Sequence, residues 1–110
     1  MPALHTSTLV AALIAAMKGA LTAHWNLAQP YATTEARKLS ETARLIVTGY
    51  AKGEINAAQA KILVRMQANA AQAVLTAIAT IGMIAAQDAV NAALGVLKTA
   101  VNTAAGVALI

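Results

Sequence analysis

Two histidines, four carboxylates and eight Lys or Arg side chains hold nearly all the ionisable chemistry of this 110-residue chain. His5 and His24 stand 19 positions apart, and neither has a second ligand at the short spacing that a metal site requires. Both read as structural or surface histidines. Glu35 and Glu41 fall among Arg37, Lys38 and Arg44, the setting of solvated ion pairs along a helix. Asp88 is the one acid in a long apolar stretch. Pairing with a Lys of a neighbouring chain, or facing a wet groove, suits it better than catalysis. No glycine-rich phosphate loop or nucleophile motif occurs, and the absence of cysteine removes disulfides and thiolate zinc sites. The expectation is a protein with no catalytic residues, no cofactor and no metal, and so not an enzyme.

The composition narrows the class further. The chain is 59% hydrophobic, 3% aromatic and 11% charged, with a net charge of +4. An average domain is about 25% charged. Disorder needs the opposite balance, and a β-sandwich needs β-branched and aromatic residues in the lead. Alanine, at 30 positions, points to helices. The length fits a single helical domain over 1–110.

The punctuation divides that domain into all-α segments, two shorter helices followed by one long alanine-rich helix. Pro2, Pro30 and Gly53 are the main breaks. The first helix is expected over about 6–28, with Thr6, Ser7 or Thr8 as cap and Pro30 closing it. Within it, Leu9 to Met17 has the length of a signal-peptide core, and Ala20 to Ala23 resembles a cleavage site. No Lys or Arg precedes this stretch and Lys18 interrupts it, so it reads as structure. The second helix is expected over 34–51, capped by Thr33, with Glu35 in its first turn and Leu39, Ala43, Ile46 and Tyr50 as its apolar stripe. Gly53 sits where a left-handed residue ends a helix. The third is expected over 57–108, opened by Asn56 and Gln59 at capping-box spacing with Ile55 at the staple position. No proline follows, so a continuous rod of about 80 Å is expected, bent if anywhere at Gly82.

The most informative pattern lies on that rod. Lys61, Arg65, Asn69, Gln72, Thr76, Thr80, Gln87, Asn91, Lys98 and Asn102 step by three, four or seven residues, close to the helical period. They form one polar line, facing a lumen or bulk solvent, and its phase is kept across Gly82. Almost everything else on the rod is apolar, the inverse of an ordinary surface helix. Such a helix needs protein or lipid around it. The expected answer is self-association into an oligomeric helical bundle or tube, with Leu13, Ile14, Met17, Leu75, Ile78, Ile81, Ile84, Val90, Leu94 and Leu97 at the contacts. On this reading Ile81→Asp disperses the oligomer.

Two alternatives stand beside it. Met66 to Gln87 is an uncharged run of 22 residues, long enough to span a bilayer. A membrane-active channel former, holin-like or an ejection pore in the bacterial membrane or envelope, is therefore the first alternative, although polar residues inside the run count against it as a lone span. The second is a weak, non-specific DNA-contacting module. Lys61, Arg65 and Lys98 lie on this polar line, and Lys18 on a similar line of the first helix with Ser7, Ala11, Ala15, Thr22, Asn26 and Gln29; neither line holds an acid, which attracts a polyanion without reading its sequence. Trp25, Tyr31 and Tyr50 are the only aromatics and are expected near the corner between the first two helices.

The stretch KLSETARLIVTGYAKGEINAAQAKILVRMQANAAQAVL, followed by IGMIAAQDAVNAALGVLKTAVN, resembles small helical virion proteins of tailed bacteriophages. The likeness covers Glu35 to Leu109 and rests on general pattern. It implies location in a phage particle, in the capsid, connector or DNA-ejection apparatus. It also implies other virion proteins as partners beside further copies of the chain, and brings no catalytic residues.

Overall fold

Where the backbone leaves helical geometry decides this architecture. The computed structural model describes residues 4–110, so Pro2 lies outside it. Four α-helices follow one another: α1 Thr6–Ala20, α2 Trp25–Ala51, α3 Ala57–Thr76 and α4 Met83–Ala105, with a 3₁₀ turn, Thr22–His24, between the first two. No strand occurs among the described residues, as the all-α reading expects.

The first two breaks differ in kind. Helix α1 ends ten residues before Pro30, at Ala20, and α2 runs straight through that proline. Leu21 explains the early corner. Its side chain is buried, its amide bonds the Met17 carbonyl, and its own carbonyl accepts from His24 N at 2.7 Å. A prolyl ring removes one amide donor, and the acceptor it would have met belongs to Asn26. Asn26 and Pro30 are both exposed, so water can serve the freed carbonyl. Thr33 and Glu35 consequently lie inside α2, not at its start. Trp25 opens α2 and Tyr50 nearly closes it, about 37 Å of helix apart, so the aromatics form no common cluster.

The α2–α3 connection follows the sequence closely. Gly53 adopts φ +72°. Gly53 N bonds the Tyr50 carbonyl and Glu54 N the Gly49 carbonyl, the paired closure that a left-handed glycine permits at a helix end. Asn56 then caps α3: its Oδ1 accepts from Gln59 N, and Gln59 Oε1 accepts from Asn56 N, both at 2.9 Å. Ile55 packs on Gly49. A Cβ at Gly49 would come within 3.3 Å of the Ile55 side chain.

The single long helix is not formed. The chain leaves helical geometry after Thr76 and resumes at Met83, so α3 and α4 fold back as a hairpin. Ile81 is buried and Ile78 half-buried, so both draw the connection toward the core. Thr80 takes φ +75°, a left-handed conformation that a β-branched residue adopts only when its surroundings impose it. Gly82 is the residue that starts α4, in extended geometry. A rod over 57–108 would measure about 80 Å; the longest dimension of the molecule is 43 Å. Folding back lets one chain cover most of the apolar surface that an extended rod would leave bare, and each large aliphatic side chain so buried contributes roughly 1.5–3 kcal/mol.

Helices α2 and α4 touch each other and both outer helices, and α1 and α3 flank them. The outer edges of the α1–α4 pair and the α2–α3 pair therefore fall on opposite sides. The core consists of Leu13, Met17, Leu39, Ile46, Leu75, Leu97 and Val101, interleaved with fully buried alanines such as Ala32, Ala43, Ala71, Ala89 and Ala93. Two polar ties reinforce it. Ser40, buried on α2, donates to the Thr6 carbonyl of α1 at 3.3 Å. After Gly106, at φ +75°, the C-terminal segment turns back. Asn102 Oδ1 accepts from Leu109 N and Ile110 N, and its Nδ2 donates to the Ile110 carbonyl.

Candidate functional site

The ionisable groups are spread out, not convergent. Among the described residues no three His, Asp or Glu side chains come together as a metal site would require. His5 is exposed at the foot of α1. His24 is half-buried, 3.4 Å from the Thr80 hydroxyl, and joins the two loops at one end of the molecule. Asp88 is exposed and has no Lys or Arg within ion-pair reach in its own chain, among the described residues. Glu41 and Arg44 form the expected exposed pair; the Arg44 hydrogen bond holds the Glu41 carboxyl below its ordinary range.

Glu35 departs from expectation. It is 2% exposed, on the inward face of α2, with Lys38 Nζ 3.3 Å from Oε2. Its other oxygen, Oε1, has no partner, and Gln67 Nε2 is the second buried polar atom in that state. Sequence spacing marks Glu35 as a helix-surface position. The fold puts it inside and leaves Gln67 half-buried.

The polar line survives, but folded. Lys61, Arg65, Asn69, Gln72 and Thr76 follow one face of α3, while Gln87, Asn91, Lys98 and Asn102 follow one face of α4; all are exposed or half-exposed. Lys61, Arg65 and Lys98 flank a shared groove of about 300 Å³ together with Val64, Leu94 and Ile110. The two arms thus meet along the α3–α4 seam. Thr80 leaves the line, because it sits in the connecting turn, and Asn102 is occupied by the C-terminal segment.

The expected oligomer contacts are largely a correction. Leu13, Met17, Leu75, Ile81, Val90 and Leu97 are buried in the chain's own core, and Ile14, Ile78 and Leu94 are half-buried against it. Ile84 alone stands free, at 75% exposure. An Ile81→Asp change would therefore strike the fold before any interface. The inversion of polarity that suggested neighbours is answered mainly by the hairpin.

What remains apolar on the surface lies elsewhere. Leu27, Tyr31 and Leu45 share one side of α2, and Ile62, Leu63 and Met66 lie on α3, Met66 at 63% exposure. Leu27 and Tyr31 border a depression with Val74, Ala77 and Ile78, which sets that part of α2 beside α3, and the exposed large side chains of the two helices form the ridge of the pair. The opposite edge is its converse. A groove of about 670 Å³ runs between α1 and α4, lined chiefly by small side chains: Thr8 and Ala12 from α1, and Ala92, Gly95, Thr99 and Thr103 from α4. The groove has a sequence signal, small residues at steps of three and four from Ala92 to Thr103, and the ridge has Ile62, Leu63 and Met66 lying off the polar line.

The membrane-spanning candidate is interrupted, since Met66 to Gln87 contains the whole α3–α4 connection. No single helix among the described residues is long and apolar enough to cross a membrane. Only α1 and the segment after it pass such a test together, and they are bent by 104°. No protein-family model, no curated protein and no solved structure matches this chain.

Proposed function

We propose that this chain is a non-enzymatic subunit of a multi-copy assembly, in which the α2–α3 ridge of one copy seats in the α1–α4 groove of the next. The observation that carries the reading is Gly95. It lies in the middle of α4, is exposed and lines the groove, and a Cβ there would meet nothing within 4 Å. A glycine in a helix interior costs about 1 kcal/mol against alanine. Nothing inside the chain recovers that cost, whereas a close neighbour across the groove would. The ridge supplies such a neighbour in Ile62, Leu63 and Met66, large apolar side chains that otherwise remain in water.

Because ridge and groove are different surfaces on opposite edges, the contact is head-to-tail. Contacts of that kind close into rings or continue as helical arrays. Either outcome suits a copy-rich particle. The resemblance to small helical virion proteins of tailed bacteriophages supports placing the subunit in the capsid, connector or ejection conduit, beside other virion proteins.

The test is sedimentation velocity of the wild type, Gly95→Leu and Met66→Glu across a wide concentration range. The wild type is expected to associate, and each variant to remain monomeric with an unchanged helical circular-dichroism spectrum. A wild type that stays monomeric throughout would end the proposal.

A further inference from the structure

We infer that the outer face of the α3–α4 hairpin binds the phosphodiester backbone of nucleic acid, with Lys61, Arg65 and Lys98 as its charged end. The three cations come from two helices and border one groove. Among the described residues the ion pairs are Lys38–Glu35 and Arg44–Glu41, so none of these three is paired with an Asp or Glu, and no Asp or Glu side chain lines the groove, which Ile110 borders. Three like charges held side by side repel one another unless an anion or salt neutralises them. Half-buried Val64 and Leu94 lie between them, a floor along which the aliphatic stems can run.

The rest of the face continues the same chemistry without charge. Asn69 and Gln72 on α3, and Gln87 and Asn91 on α4, follow the cations along the seam. Such amides donate to phosphate and sugar oxygens in non-specific complexes. Helix α3 alone gives the track a length of about 30 Å. Stacking aromatics are absent from it, and the charge is modest, so binding is weak, salt-sensitive and indifferent to sequence. A lipid headgroup offers the same phosphate chemistry. Exposed Ile62 and Met66 stand next to Lys61 and Arg65 on α3, so an anionic membrane is the outcome that vesicle flotation must separate from duplex binding.

The test is fluorescence anisotropy with a labelled random-sequence duplex of about 20 base pairs, alongside flotation with phosphatidylglycerol vesicles. Three neutralised phosphates give a log–log salt slope of about −2.7, or roughly 40-fold weaker binding on going from about 50 to 200 mM salt. The Lys61→Gln/Arg65→Gln/Lys98→Gln variant should lose at least tenfold in affinity and most of the slope. Arg37→Gln/Arg44→Gln/Lys52→Gln removes the same net charge at other exposed positions and should stay within about threefold of wild type, where a pure net-charge effect would weaken both variants alike. Circular dichroism verifies that both variants fold. Equal losses in the two variants, no duplex binding by the wild type at low salt, or binding to vesicles alone would each overturn the inference.

Discussion

The two outer edges of this molecule are built from the same alphabet and do opposite things. On the α1–α4 edge, small residues follow one another on the outside and leave a trough. On the α2–α3 edge, leucine, isoleucine, methionine and tyrosine stand out into solvent. Both edges flank one alanine-rich core. The difference shows that apolar composition alone says little about where neighbours are needed; size does. Small side chains let a backbone approach, large ones favour being covered, and a protein carrying both on opposite sides has the two shapes that the proposed head-to-tail contact requires.

The largest expected effect would break the comparison by showing the core to be elsewhere. Leu97 has no exposure, whereas Ile84 is three-quarters exposed. Leu97→Ala should cost about 2–5 kcal/mol in chemical denaturation, and Ile84→Ala less than about 0.5 kcal/mol. Equal costs would mean that the hairpin is wrong and that both residues face a neighbour. Next in size is Lys38→Ala, which leaves the buried Glu35 carboxylate without its cation. A loss of about 1–3 kcal/mol is expected. Glu35→Met, which removes the orphaned oxygen together with the charge, should be neutral or stabilising in the same assay.

Gly95→Ala sharpens the contrast between edges. In the isolated chain it should add about 1 kcal/mol of stability, because nothing opposes the new methyl group, while its effect on association should be unfavourable. A glycine whose replacement stabilises the monomer and weakens the assembly is retained for contact, not for folding. The smallest effect concerns the exposed Glu41–Arg44 pair. Its hydrogen bond lowers the Glu41 carboxyl in the folded state, so the pair contributes above the carboxyl's unfolded value and is lost as pH falls through the folded one. An NMR titration should place the Glu41 midpoint below the ordinary glutamate value and return it there in Arg44→Ala.

Much of the fold was legible in the sequence where local chemistry decides it. The capping box at Asn56 and Gln59, the left-handed Gly53 and the all-helical class all follow from neighbours a few residues apart. The break between α3 and α4 was not legible, for an identifiable reason. Thr80 takes a positive φ between half-buried Ile78 and buried Ile81, a tertiary arrangement that helix propensity does not register. The constant phase of the polar line misled as well. Two helices folded into a hairpin each need their polar residues outward, so a preserved spacing is as compatible with reversal as with continuity. Pro30 misled in the other direction, because an early, solvent-facing proline breaks little. Of the candidate sites, the cations of the polar line were visible in sequence, and their meeting across the seam was not. The ridge and groove depend on which apolar residues are left over after the core is filled, and that is settled only by the tertiary packing.

The most direct test of the central claim is a mixing experiment read by native mass spectrometry. Gly95→Leu blocks the groove and keeps the ridge; Met66→Glu spoils the ridge and keeps the groove. If the contact is head-to-tail, each variant alone is a monomer and an equimolar mixture forms one-to-one heterodimers that grow no further. A mixture that stays monomeric while the wild type assembles, or variants that assemble on their own, would contradict the account.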